Sequence, residues 1–166
     1  LILPKADPAY SDNPPTLNGA FDDVSTLIQS ARYEVLPSTM WYETDDTGTS
    51  PGVVLAEGVK KLYDQVKANP DQYPRWMTVR ILLDNPPEFA LSRLVTQVWN
   101  VFQHMRYAGL TIMDDPEIGW KMEVANYSGS LPHGHTKIVV IDGKTAVAAI
   151  GQGYDGHERL LLVTQR

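Results

Sequence analysis

Residues His133–Gly143 read HGHTKIVVIDG, and the second half of this stretch decides the local fold. Residues 136–141 are strongly β-prone, and Asp142-Gly143 is a strong hairpin-turn signal. Residues 145–150 supply the returning strand. The segment therefore predicts a β-hairpin whose turn begins at Asp142.

The same hairpin carries the residues with the clearest chemical character. Side chains two apart on a strand point to the same face, so His135 and Lys137 are expected to place an imidazole beside a fixed cation. Asp142 has the opposite parity and lies in the turn, where it either shapes the turn or supports a site. From this composition, the spacing His-x-Lys-x4-Asp is expected by chance about 0.013 times.

Outside the hairpin, the sequence alternates helix and strand signals and then becomes β-rich. Strands are expected at Tyr33–Tyr42, Trp76–Leu83, Leu110–Met113, Trp120–Tyr127 and Leu160–Thr164; helices are expected from Asn18, from Pro51 to Asn69 and from Asn85 to Gly109. Pro37 predicts a bulge or an edge position for the first strand, and the apolar run at 76–83 predicts a strand covered on both faces. The pattern indicates an α/β fold with a mixed β-sheet flanked by helices. Residues 1–18 are expected to be an irregular arm, and residues 19–166 one domain.

Length and composition limit the possible functions. A chain of 166 residues and 18.5 kDa suits one domain with its own core. The absence of cysteine excludes disulfides, thiol catalysis and zinc–thiolate sites. The formal charge is 14 − 20 = −6, which disfavours non-specific nucleic-acid binding. No apolar run reaches the roughly 18–20 residues of a transmembrane segment.

His135, Lys137 and Asp142 resemble the HKD signature of the phospholipase D superfamily. The passages at 28–42 and 79–84 are also similar to segments of that family. The resemblance implies a phospholipase D-like half-domain and phosphodiester chemistry through a phosphohistidine, with no metal and no cofactor. It implies His135 as nucleophile or general acid, Lys137 as phosphate clamp and Asp142 as a supporting residue.

The segment after Asp142 departs from the family pattern. Many members carry a Gly-Gly or Gly-Ser pair followed by an Asn, where this chain has Ala149-Ile150 and Gln152. Gln152 keeps an amide for substrate binding, whereas Ile150 removes a hydroxyl that would help to hold a phosphate oxygen. The departure leaves open a non-catalytic half that binds its partner half.

The family builds one site from two HKD motifs, and this sequence has one. His133 is a poor substitute, because it lies only two residues before His135. The second motif is expected either from a homodimer mate or from the other half of a longer chain. The absence of an initial Met, the acidic balance and the end soon after Gln152 favour the longer chain. Phospholipid is the favoured substrate, and a metal-independent homodimeric endonuclease is the alternative enzyme.

Other polar and aromatic residues have simpler interpretations. His104 is expected on a helix surface or half-buried, and His157 in a turn. Asp114, Asp115 and Glu117 are expected to form an ordinary acidic turn rather than a cation site. The strand aromatics are expected to belong mainly to the core, and they are Trp41, Tyr42, Trp120 and Tyr127.

Overall fold

The computed structural model describes residues 3–4, 18–39, 51–73, 76–83, 91–126, 136–150 and 159–164. The described helices are α1 (Asn18–Gln29), α2 (Pro51–Ala68) and α3 (Leu91–Tyr107), with a 3₁₀ turn at Pro70–Gln72. The described strands are β1 (Leu3–Pro4), β2 (Glu34–Thr39), β3 (Met77–Leu83), β4 (Asp114–Asp115), β5 (Trp120–Asn126), β6 (Lys137–Ile141), β7 (Thr145–Ile150) and β8 (Arg159–Thr164). None of the described helices is long and apolar enough to cross a bilayer.

All the described strands join one mixed sheet in the order β1-β8-β7-β6-β2-β3-β5-β4. Strands β2, β3 and β5 are parallel to one another, and β6 joins β2 in the antiparallel sense. The expected mixed α/β architecture is confirmed. The parallel strands share an amino edge, where they begin, and a carboxyl edge, where they end; these two names are used below.

The hydrophobic core lies between one face of the sheet and the three helices. Strand β3 sends its alternate residues Met77, Val79, Ile81 and Leu83 into this core, each at most 1% exposed. The residues between them face away from it, and Arg80 is exposed. The expectation that this strand is covered on both faces is therefore wrong for the described part of the chain. An apolar run alone did not distinguish one covered face from two.

The face opposite the core carries a surface ion cluster on β3 and β5. Arg80 and Lys121 both bind the Glu123 carboxylate, at 2.8 Å and 2.7 Å. The hydrogen bond from Lys121 lowers the pKa of Glu123 below its ordinary value, and a smaller effect of the hydrogen bond from Arg80 adds to it. Because the cluster is exposed, it contributes little to stability.

Pro37 lies in the interior of the sheet, so the expectation of an edge strand or a bulge is wrong. Strand β2 is paired on both sides, with β6 and with β3. Its pairing with β3 covers residues 34–35 and 38–39 and omits 36–37, with the same register before and after the gap. No residue is inserted. The sheet accommodates the missing N–H of proline by interrupting one ladder locally.

The segment Leu110–Met113 is not a strand, contrary to expectation. The Leu110 N–H donates to the Met105 carbonyl at 2.8 Å, and Gly109 adopts a φ of +87°. The amide that a strand would use therefore closes the end of α3, as in common helix C-terminal motifs. The first register pair with β5 joins Asp114 to Lys121, next to a bond from the Met122 N–H to the Met113 carbonyl at 2.7 Å.

The other expected boundaries agree closely with the structure. Helix α2 begins at Pro51 and ends at Ala68, just before Asn69-Pro70. Within the predicted N-terminal arm, Leu3–Pro4 forms a short strand paired with β8. The predicted helix start at Asn85 lies outside the described residues.

Candidate functional site

Lys137 is the first residue of β6 and lies at the carboxyl edge of the parallel strands. The sheet register pairs Lys137 with Thr39 of β2. Thr39 pairs with Leu83 of β3, and Leu83 pairs with Asn126 of β5. Paired residues on neighbouring strands share a face, so these four side chains form one row across four strands. The row includes an ammonium, a hydroxyl and an amide. Such an edge is where open α/β sheets commonly bind ligands.

Thr136 precedes Lys137 and is tied to the neighbouring strand by its hydroxyl. The Oγ1 atom of Thr136 lies 2.6 Å from the Oγ atom of Ser38, a hydrogen bond in which either group can donate. Thr136 is the middle residue of the His-x-Lys sequence. The bond therefore anchors the chain immediately before the candidate phosphate clamp.

The Asp142 carboxylate binds a run of three backbone amides at the start of β2. Its Oδ1 accepts from the N–H groups of Arg32, Tyr33 and Glu34 at 3.1, 2.8 and 3.0 Å, and its Oδ2 accepts a second contact from Arg32 at 2.9 Å. The Asp142 N–H donates to the Glu34 carbonyl at 3.0 Å. The residue thus joins the β6–β7 hairpin to the connection between α1 and β2.

The backbone at this turn explains why Asp-Gly occupies it. Asp142 has a φ of +53° and Gly143 a φ of +63°, while Lys144 donates from its N–H to the Ile141 carbonyl at 3.0 Å. Positive φ at both central positions is typical of hairpin turns that follow strand twist, and aspartate tolerates it better than most side chains. The predicted hairpin and its turn are confirmed.

The structure does not bring Lys137 and Asp142 together. They lie at opposite ends of β6, five residues apart, which corresponds to about 17 Å along a strand. Asp142 lies at the amino edge of β2, whereas Lys137 lies at the carboxyl edge. Any support that Asp142 gives to a site at Lys137 is exerted through the hairpin and not through contact.

Three of the residues singled out from the sequence, His133, His135 and Gln152, lie outside the described residues. The elements beside them in the sequence are described. Strand β6 begins at Lys137 and β7 ends at Ile150, and the antiparallel pairing of Ile138 with Ala148 places both ends at one edge. In the sequence, His135 comes two residues before the first residue of β6, and Gln152 comes two residues after the last residue of β7.

The other expected assignments have mixed outcomes. His104 is buried in the structure, at 7% exposure, rather than on the surface. Trp120 is a core residue at 0% exposure, as expected. Trp41, Tyr42, Tyr127 and His157 lie outside the described residues. No group of three or more His, Asp or Glu side chains that could hold a metal ion occurs within the described part of the chain.

Asp115 belongs to a packed cluster at the amino edge. The Tyr63 hydroxyl donates to Asp115 Oδ2 at 2.9 Å, and the Tyr63 ring packs edge-on against Trp120 with centroids 5.2 Å apart. Burial raises the pKa of Tyr63, and the hydrogen bond to Asp115 raises it further. This carboxylate therefore buttresses helix α2 against the start of β5.

Sequence reasoning missed the polar residues that end the neighbouring strands at the carboxyl edge. Ser38 and Thr39 end β2, and Asn126 ends β5. The available signal was that polar residues follow apolar strand segments there. It could not be used without the strand order, because that order decides which strand ends meet at one edge.

No protein-family model matches the chain, and no curated protein matches it. Solved structures do resemble it. NucT from Helicobacter pylori superposes with a TM-score of 0.50 and 15% identity, covering 90% of this chain and 79% of NucT. Nuc from Salmonella typhimurium, a phospholipase D family member, gives a TM-score of 0.48 and 12% identity, covering 87% of this chain and 74% of Nuc.

Phosphatidylserine synthase from Haemophilus influenzae gives a TM-score of 0.49 and 17% identity. The match covers 90% of this chain but only 32% of the synthase, so the chain spans about a third of that protein. The chain has a mixed α/β fold similar to that of NucT. At these identities the likeness establishes the fold alone.

Proposed function

We propose that this chain is a phosphodiesterase-type half-domain that cleaves a phosphodiester through a phosphohistidine intermediate. The observation that carries the proposal is the position of Lys137, at the carboxyl edge and two residues after His135 in a His-x-Lys-x4-Asp sequence. A His-x-Lys-x4-Asp spacing that arose by chance would have no reason to place its lysine at the carboxyl edge, where open α/β sheets commonly bind ligands.

The residue types suit the two displacement steps of such a reaction. In the first, the His135 imidazole forms a bond to phosphorus while the bond to the leaving oxygen breaks, and an acid protonates that oxygen. In the second step, the conjugate base of that acid removes a proton from water. The water oxygen attacks phosphorus as the phosphorus–nitrogen bond breaks. Lys137 neutralises the non-bridging oxygens in both steps as a point charge.

The second acid–base group comes from a second half-domain. The sequence contains one His-x-Lys pair, and one imidazole cannot serve as both nucleophile and general acid in the same step. We infer that a second motif, in the same longer protein or in a second copy of this chain, completes the site.

Phospholipid is the proposed substrate class. The chain carries a net charge of −6, which opposes the counterion release that drives binding to long polyanions. A single headgroup phosphodiester needs only the local clamp at Lys137. DNA cleavage in the presence of EDTA by a homodimer is the competing outcome, and light scattering measures the oligomeric state.

The test compares His135→Asn with His133→Asn in the full-length gene product. Hydrolysis of bis(p-nitrophenyl) phosphate, phosphatidylcholine vesicles and single-stranded DNA is measured with EDTA present. His135→Asn should lower the rate about a thousandfold, the scale of a lost nucleophile or acid–base group. His133→Asn, two residues away in the same stretch, should retain most of the wild-type rate.

Equal rates in His135→Asn and the wild-type protein would overturn the assignment. Wild-type protein that hydrolyses none of the three substrates would leave the non-catalytic half-domain as the better description. A preference for DNA over vesicles would retain the chemistry and overturn the substrate class.

A further inference from the structure

We propose that Ser38 is a positioning residue that holds Lys137 in place through Thr136. The inference rests on the proposed function, in which Lys137 clamps the phosphate. It assigns a role to a residue outside the His-x-Lys-x4-Asp sequence, on a strand about 100 residues earlier in the chain.

The geometry shows how the two hydroxyls act at the start of β6. Ser38 pairs with Ile138 in the sheet register, so Thr136 is its diagonal neighbour, two residues towards the beginning of β6. The last register pair in that direction joins Thr39 to Lys137. The bond of 2.6 Å between the two hydroxyls therefore ties Thr136, one residue beyond the last register pair, to the paired part of β2.

This location matters because strand ends open more readily than strand centres. Lys137 is at such an end, and a flexible side chain on an opening backbone would hold its charge poorly. A hydroxyl bond one residue earlier resists opening at the position where the clamp needs a fixed backbone. Electrostatic stabilisation of a transition state depends on groups that are positioned before the reaction.

The hydrogen bond that positions β6 and the ammonium that would contact the phosphate belong to different faces of the sheet. Thr136 and Ser38 have the opposite parity to Lys137 and Thr39, so the hydroxyl bond lies on the other face of the sheet from the ammonium. The bond can thus hold the strand without occupying space needed by a phosphodiester. A hydrophobic residue of similar size at either position would retain the bulk and lose the bond.

The experiment uses Ser38→Ala, Thr136→Val and the double variant in the full-length gene product. Thr136→Ser keeps a hydroxyl and serves as the conservative variant. Thr78→Val is the matched control, since Thr78 has the same sheet-face parity as Ser38 but lies at the amino edge. For each variant, kcat and KM for bis(p-nitrophenyl) phosphate are measured, together with amide hydrogen exchange.

Ser38→Ala and Thr136→Val should each speed exchange of the amides of residues 136–138 about fivefold, as expected for one lost hydrogen bond. Each should lower kcat roughly tenfold with KM within about twofold, because misalignment weakens transition-state contacts more than ground-state binding. The double variant should be no slower than the slower single variant, since both changes remove the same bond. Thr136→Ser should retain wild-type kcat within about twofold.

Three results would overturn the proposal. Unchanged kcat in Ser38→Ala would do so whether or not exchange increases, because the bond would then be only structural. An equal fall in Thr78→Val would assign the effect to general destabilisation. Wild-type protein without activity would remove the proposed function and this inference together, whereas an active protein with an unaffected Ser38→Ala would remove this inference alone.

Discussion

The two edges of the parallel strands differ in how their polar groups are used. At the amino edge, the Asp142 carboxylate accepts four hydrogen-bond contacts from consecutive backbone amides, and Tyr63 binds Asp115. At the carboxyl edge, Lys137, Thr39 and Asn126 lie in one row. One edge joins loops and helices to the sheet, and the other carries polar residues at the ends of β2 and β5 and at the start of β6.

The comparison shows that one sequence signature can serve both edges. Residues 135–142 are contiguous, but Lys137 begins β6 at one edge of the sheet and Asp142 follows its last residue at the other. Lys137 and Asp142 should therefore respond differently to substitution. Changes at the first should alter catalysis with little effect on folding, and changes at the second should alter folding first.

The largest effect is expected from Lys137→Ala. Removing a preorganised cation from a transition state typically costs two to three orders of magnitude, so hydrolysis of bis(p-nitrophenyl) phosphate should fall about 100- to 1,000-fold. The melting temperature should change by no more than about 2 °C, as for a substitution of a side chain that is not in the core. Lys144→Ala, an exposed lysine at the other end of the same hairpin, is the matched control and should retain activity.

A similar loss of activity in Lys144→Ala would remove the distinction between the two edges. A Lys137→Ala protein whose main defect is loss of folding, and not loss of activity in the folded state, would remove the distinction as well.

The second effect is expected from Asp142→Ala. The variant leaves three consecutive amides without their carboxylate and should lower the free energy of unfolding by about 3 kcal/mol, the upper scale for hydrogen bonds to a charged group. Urea denaturation measures this loss. Asp142→Asn should cost less, because it keeps one acceptor oxygen. Asp71→Ala, at an exposed position in the 3₁₀ turn, is the control and should change stability little.

Added acetate provides a sharper test of the same contact. If the three amides form an anion-binding nest, acetate should raise the melting temperature of Asp142→Ala more than that of the wild-type protein. Equal shifts in both proteins would count against the carboxylate as the source of the stabilisation.

The smallest effect is expected from Tyr63→Phe, which removes the hydroxyl bond to Asp115. The free energy of unfolding should fall by about 1 kcal/mol at pH 8. The folded state raises the pKa of Tyr63, so its contribution is present below the unfolded value near 10 and is lost as pH rises through the folded value. Wild-type protein should therefore lose more stability than Tyr63→Phe between pH 9 and pH 11. Tyr107→Phe, at 80% exposure, is the control and should not change stability at pH 8.

Local signals in the sequence predicted much of the fold. Asp142-Gly143 predicted the hairpin because positive φ at a two-residue turn is a local requirement, and Asn69-Pro70 predicted the end of α2 for a similar reason. The wrong expectations concerned position in the sheet. The sequence around Pro37 shows that one backbone N–H is absent, but it does not show the two neighbouring strands that make β2 central.

The candidate site was predicted only in part, for the same physical reason. The spacing of His135 and Lys137 is local and could be recognised. The contact of Thr136 with Ser38 spans 98 residues, and that of Asp142 with Tyr33 spans 109. Such contacts depend on which strands are neighbours, and no periodicity in one segment encodes that order.

The two strands at the limits of the described sheet have a consequence for how the protein behaves in concentrated solution. Strands β1 and β4 contain two residues each, and they carry Pro4 on one side and the carboxylates of Asp114 and Asp115 on the other. A proline offers no N–H to an incoming strand, and the exposed carboxylate of Asp114 repels a second copy. Both borders should thus discourage sheet extension between molecules, so that association in this fold is left to surfaces other than open strand borders.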